Sequence, residues 1–193
     1  MKNKQYSPTH QPVQMAQRGA GMIEVLVAIL LLAIGVLGYA ALQVRAVEST
    51  TEALSRSQAM IILRGLGENI RVNSAAQSSY VSAVHGYAAY TTATTAPASC
   101  VATSATDNTS CTAAALATFD AFQAASVAFR YGIHLDMYEC PGVSGAPVKR
   151  QCLFAAWGKT NPVISGATPA ATDCMSATGA YTAASTCLML ETY

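Results

Sequence analysis

The sequence predicts an α+β fold: one long N-terminal helix, part membrane anchor and part spine, packed against a small antiparallel sheet in a cysteine-stapled head. Three observations predict it. Eighteen residues from Val25 to Leu42 carry no charge. After Leu42 the apolar residues continue at helical spacing to about residue 72, now with charges on the other side. All six cysteines lie beyond that helix, among short segments of period-two alternation separated by Gly and Pro.

At about 1.5 Å per residue the uncharged run is ~27 Å long as a helix, close to the ~30 Å hydrocarbon core of a bilayer. The eighteen residues at the N-terminus include Lys2, Lys4 and Arg18 but no apolar core. An ordinary secretory signal needs an apolar stretch ahead of its cleavage site. Positive residues on the N-terminal side predict that this end faces the cytoplasm and that the head crosses the membrane. The cysteines agree, since an even number confined to the distal part suits an oxidising compartment. Gly35 and Gly38, with Ala33, Ala40 and Ala41, allow close helix approach and also weaken the helix locally.

The segment Gly19-Ala20-Gly21-Met22-Ile23-Glu24 followed by the apolar run resembles the class III signal of type IV pilins and type II secretion pseudopilins. The resemblance implies that a prepilin peptidase cuts between Gly19 and Ala20 and methylates the Ala20 amine. Glu24 then becomes the fifth residue of the mature chain. Ala in first place, where the family most often has Phe, is closer to the PilV-type minor pilins (type IV pilus modification proteins) than to a major pilin. A carboxylate carried into a helix bundle is costly unless neutralised, so Glu24 is expected to pair with an N-terminal amine, its own or a neighbour's.

The amphipathic half follows directly. Val44, Val47, Leu54, Ile61, Ile62, Leu66 and Ile70 alternate with Arg45, Glu48, Glu52, Arg56, Arg64, Glu68 and Arg71. One helix from about 21 to about 72 would be ~75 Å long. Arg71-Val72-Asn73 resembles the Arg-x-Asn that closes the long helix of PilV-type chains. The expected organisation is a cleaved leader over 1–19, an assembly half over 20–43, an amphipathic half over 44–73, and a head over 74–193.

Within the head, residues 74–111 are rich in Ser, Ala, Thr and Tyr and read as a variable loop. A sequon at Asn108-Thr109-Ser110 is ascribed to chance. Residues 112–130 read as a helix capped by Thr112 and stopped by Gly132, with Leu116, Phe119, Phe122, Ser126 and Phe129 as its core face. Asp120 is given no chemistry. Strands are expected over 133–139, 148–157 and 187–193, with 163–186 a loop-rich segment. Cys100, Cys111, Cys140, Cys152, Cys174 and Cys187 allow fifteen pairings. Nearest-neighbour bridging is the expectation, because each loop is then a short local staple. Zinc is the competing use, weakened by the absence of Cys-x-x-Cys, by spacings of 10 residues or more and by scarce His.

Formal charge is +1, and losing Lys2, Lys4 and Arg18 leaves 8 basic against 10 acidic residues, or −2. No basic stripe supports nucleic-acid binding. His134 and Asp136 lie on one face of a strand and read as two surface polar residues. No catalytic or dinucleotide fingerprint appears, so no enzyme activity, metal or cofactor is expected. The resemblance implies a minor pilin that helps initiate pilus assembly, joins a tip complex and supports piliation, twitching motility and adhesion. Its implied partners are prepilin peptidase, other minor pilins and the major pilin through the N-terminal helix, a tip adhesin and the inner membrane. A type II secretion minor pseudopilin and a single-pass surface adhesin are the alternatives.

Overall fold

In the computed structural model, residues 21–102, 110–143, 145–166 and 168–193 are described, and the chain divides into two units, Met1–Glu48 and Ser49–Tyr193. The leader and, of the sequon, Asn108 and Thr109 lie outside the described residues. Helix α1 runs Met22–Val72, 51 residues, with Glu24 in its first turn and Arg71 in its last, each at the end that its charge favours. Up to Glu48 every described side chain is exposed. From Ser49 onward one face is buried through Ala59, Leu63, Leu66, Gly67 and Ile70, the i, i+4, i+7 pattern of a helix packed on one side.

A 3₁₀ turn, Ser74–Ala76, leads into α2, Gln77–Gly86. This corrects the expectation of a loop after residue 73. Ser and Ala dominate the helix, but Tyr80, Val84 and Tyr87 recur at helical spacing, and the first two are buried. Helix α3, Ala113–Arg130, begins at Thr112, whose hydroxyl accepts from the Ala115 N–H at 3.2 Å. It ends at Gly132, held at φ +67°.

The buried face of α3 differs from the expected one. Ala117, Ala121, Ala125 and Ala128 face the core, while Phe119, Phe122 and Phe129 are only half-buried. Alanines let α3 approach α2 closely. The phenylalanines instead receive the chain that follows α2: Tyr87 meets Phe122 with ring centroids 5.5 Å apart, and Tyr90 meets Phe122 and Phe129 at 5.6 and 5.5 Å.

The main sheet is antiparallel with order β1-β2-β5, where β1 is Ile133–Glu139, β2 is Gln151–Trp157 and β5 is Cys187–Glu191. The segment expected to be loop contributes β4, Asp173–Ser176, which pairs in parallel with β3, Asn161–Ser165. Side-chain alternation divides the sheet between two cores. Ile133, Leu135, Met137, Leu153, Ala155 and Trp157 join the helices. Cys152, Phe154, Ala156 and Cys187 join Cys140, Cys174 and Met175 on the other face. The fold is α+β and pilin-like.

Candidate assembly interface

The foot of α1 is the first part of the site. The Glu24 N–H donates to the Gly21 carbonyl at 2.9 Å, so the carboxylate rides on an already hydrogen-bonded turn. Gly19 and Ala20, the expected cleavage pair and methylation position, lie outside the described residues. Beyond Glu24 the helix reaches a mean hydropathy of 2.8 over eighteen residues, none of them buried. A helix apolar on every side is stable only when enclosed, by lipid or by other helices.

The head is held by polar clasps that join elements distant in sequence. Asn73, just past α1, is buried, and its amide donates to the Ala113 carbonyl at 2.8 Å and to the Tyr80 hydroxyl at 3.3 Å. Tyr80 is fully buried and donates in turn to the Asp120 carboxylate at 2.6 Å. These contacts tie α1, α2 and α3 together and give Asp120 the role that its sequence context did not. Burial raises the Asp120 carboxyl above the usual range, partly opposed by the Tyr80 hydrogen bond. Burial, then the Asp120 bond, raises the Tyr80 hydroxyl as well.

A second clasp corrects the reading of His134 and Asp136 as two surface groups. His134 is exposed, but Asp136 is 2% exposed. Its carboxylate accepts from the Met137 N–H at 2.8 Å and from the Tyr138 hydroxyl, and lies 3.0 Å from Nδ1 of His85 on α2. The partner is thus His85, 51 residues away, not His134. A third clasp joins α1 to β2, where the buried Trp157 indole donates to Glu52 at 2.8 Å. No sequence motif marked His85, Tyr138, Tyr80 or the Glu52–Trp157 pair. A helical reading of Tyr80, Val84 and Tyr87 would have brought α2 and its histidine into view.

The six cysteines form Cys100–Cys111, Cys140–Cys152 and Cys174–Cys187. Among the described residues no group of three or more His, Cys, Asp or Glu is placed to hold a metal ion. The bridges and clasps serve to hold the small head together.

Residues 41–122 match the family model Tt1218-like, type IV pilin Tt1218. The match takes in the later part of α1, all of α2 and the first half of α3, including Asn73, Tyr80 and Asp120. No curated protein and no solved structure is matched. With the fold, this similarity supports a structural subunit of the type IV pilin kind.

Proposed function

We propose that this chain is a minor type IV pilin of the PilV type, a structural subunit without catalytic activity. It waits in the inner membrane with its N-terminus in the cytoplasm and its head in the periplasm, and then leaves the lipid to help initiate a pilus and join its tip complex. The observation that carries this reading is Glu24, a lone acid at the foot of the exposed, uncharged run Val25–Leu42 of α1. In lipid the acid sits near the interface, where its cost is smallest. In a helix bundle it needs a cation, and the amine freed at Ala20 by cleavage after Gly19 supplies one. Pairing across subunits would set their register, since only one stagger brings amine and carboxylate together. Similarity to a type IV pilin over residues 41–122 supports the same reading from an independent part of the chain.

Two measurements test it. Intact-mass and N-terminal analysis of protein from membranes with and without prepilin peptidase should give an N-methylated Ala20 terminus in the first case and the uncut chain in the second. Glu24→Gln should leave the head folded and membrane insertion intact while incorporation into fibres drops. A chain that keeps residues 1–19 in assembled fibres, or a Glu24→Gln variant incorporated like wild type, would refute the proposal.

A further inference from the structure

The two edges of the main sheet are finished differently. In an antiparallel ladder every second residue turns its N–H and C=O away from the partner strand. The Cys140 N–H donates to the Arg150 carbonyl, so in the β1–β2 register Leu135, Met137 and Glu139 face outward. The Thr192 N–H donates to the Gln151 carbonyl, so in the β2–β5 register Met189 and Glu191 face outward. On β1 that edge is closed: Leu135 and Met137 are buried, and the Asp136 carboxylate takes the Met137 N–H at 2.8 Å. On β5 it is open. Leu188, Met189 and Leu190 are half-buried and Glu191 is exposed. Among the described residues, no group accepts from the outward N–H of Met189 or Glu191.

An edge strand with unpaired backbone groups is a template for another strand, and proteins ordinarily blunt it with lysine, proline or a covering element. Cys187-Leu188-Met189-Leu190-Glu191 contains neither lysine nor proline. Beside it lies a groove of about 380 Å³, walled by Arg64, Glu68 and Arg71 of α1 and by Leu190, Glu191 and Thr192. None of its lining residues belongs to β2, so the groove follows the outer side of β5. Glu68 pairs with Arg71 at 2.8 Å and Glu191 with Arg150 at 3.0 Å. Arg64 has no ion-pair partner among the described residues, which leaves one positive charge unmatched in the groove.

We infer that β5 accepts an extended, acid-bearing segment of a different polypeptide as a fourth strand, bonded to Met189 and Glu191 with its carboxylate on Arg64. The backbone selects the conformation, since outward N–H and C=O groups two residues apart are matched by an extended chain and not by the side of a helix. Arg64 selects the charge, because an arginine pairs best with a carboxylate. A second copy of β5 does not meet that need: its one acid is Glu191, which its own Arg150 already holds. The inference goes beyond the pilin-subunit reading and stands without it.

The test uses the full-length chain in detergent and the peptide acetyl-Thr-Val-Thr-Glu-Val-Thr-Val-Thr-amide, with residue-resolved backbone hydrogen exchange as the readout. In the protein alone, Met189 and Glu191 should exchange fast and Met137 slowly. Millimolar peptide should slow Met189 and Glu191 several-fold and leave Met137 unchanged. The fully N-methylated peptide, which has no N–H to give, should do nothing, and a version with Gln for Glu should bind several-fold more weakly. Glu191→Pro removes one outward N–H without touching the bonds to β2, so it should melt near wild type and lose the effect at Met189. Glu191→Ala, which drops only the Arg150 pair, should keep it. Arg64→Ala changes an exposed side chain and should weaken the Glu peptide to the level of the Gln peptide. No slowing at Met189, equal slowing by the methylated peptide, or equal binding of the Glu and Gln peptides would overturn the inference. Slow exchange at Met189 that sets in as the protein itself is concentrated would assign the edge to a second copy and overturn it too. Each of these outcomes leaves the subunit reading standing.

Discussion

Between Val25 and Leu42, α1 is apolar on every side and wholly exposed, whereas between Ala59 and Ile70 it is apolar on one face and that face is buried. The first stretch contributes nothing to the folding of the head, so its side chains are free to suit lipid and partner helices. The second is fixed by the sheet and by α2 and α3, so its side chains answer to packing inside the chain. The difference separates two kinds of defect. Changes in the first stretch should appear as failed assembly of a folded protein, and changes in the second as an unfolded head.

The sharpest way to break that comparison is to truncate one leucine in each stretch. Leu63 is fully buried in the cluster that holds Tyr80, Leu153 and Trp157. Leu63→Ala should destabilise the head by about 2–5 kcal/mol, from lost transfer energy and the cavity left behind. Leu30→Ala removes the same atoms from an exposed position and should change head unfolding by less than about 0.5 kcal/mol. Denaturant unfolding in detergent, followed by the fluorescence of the single tryptophan, Trp157, reads both. Equal losses would show that the two stretches do not differ as argued.

Next in size are the staples of the head. Cys174 and Cys187 are buried in the second core with Phe154 and Met175, so removing their bridge takes away both a chain constraint and packing. Cys174→Ser with Cys187→Ser should cost about 3 kcal/mol, the chain-entropy value for a loop of similar length. Cys100 and Cys111 close a comparable loop but belong to neither core, so their double serine variant should lose less. Thermal melts of the two double variants provide the ranking.

A smaller effect, dependent on pH, is expected at the clasp between the helices. Tyr80→Phe leaves the Asn73 amide and the half-buried Asp120 carboxylate without their shared partner, at about 1–3 kcal/mol. Because the folded state raises the Asp120 carboxyl, it holds that proton more tightly than the unfolded chain does. Stability from this group is therefore full below the ordinary carboxylate range and is lost as pH rises through that range to the higher folded value. Asp120→Asn should flatten this part of the stability profile. Tyr80, also raised, should add a loss that begins near pH ~10, where the unfolded tyrosine ionises. Urea midpoints across pH check both signs.

The long helix was legible because its evidence is local: an uncharged run, then apolar spacing, carried without a proline from Gly21 to Asn73. Helix α3 and strand β1 were legible for the same reason, through Thr112, Gly132 and strict alternation. Helix α2 was hidden by composition, since Ser and Ala report little about burial and only Tyr80 and Val84 of its residues are fully buried. The buried face of α3 was misassigned because large aromatics are ordinarily the best core candidates, and here close helix packing selected alanine. The clasps were not legible at all. His85 and Asp136 are 51 residues apart, and Glu52 and Trp157 are 105 apart, so nothing local records that the fold brings them together. Strands β3 and β4 sit among Gly, Pro and Ser, the residues that normally announce a loop.

The smallest expected effect lies at Ala184, just before Cys187 begins the last strand. Its φ is +62°, a left-handed conformation in which a Cβ crowds the following carbonyl at a cost of about 1–2 kcal/mol. Glycine adopts that conformation freely, but it also gives the unfolded chain more freedom, which costs about 0.5–1 kcal/mol. Ala184 is exposed, so its methyl contributes no core packing to offset the difference. The strain relieved exceeds the entropy lost, and Ala184→Gly should stabilise the head by up to about 1 kcal/mol. The same change at Ala121, buried in a regular helix turn, meets no strain and should destabilise it by at least the helix-propensity difference of about 1 kcal/mol. Opposite shifts in melting temperature for these two alanine-to-glycine variants are the expected result. A loss at both would mean that the left-handed turn at residue 184 is not what limits that corner.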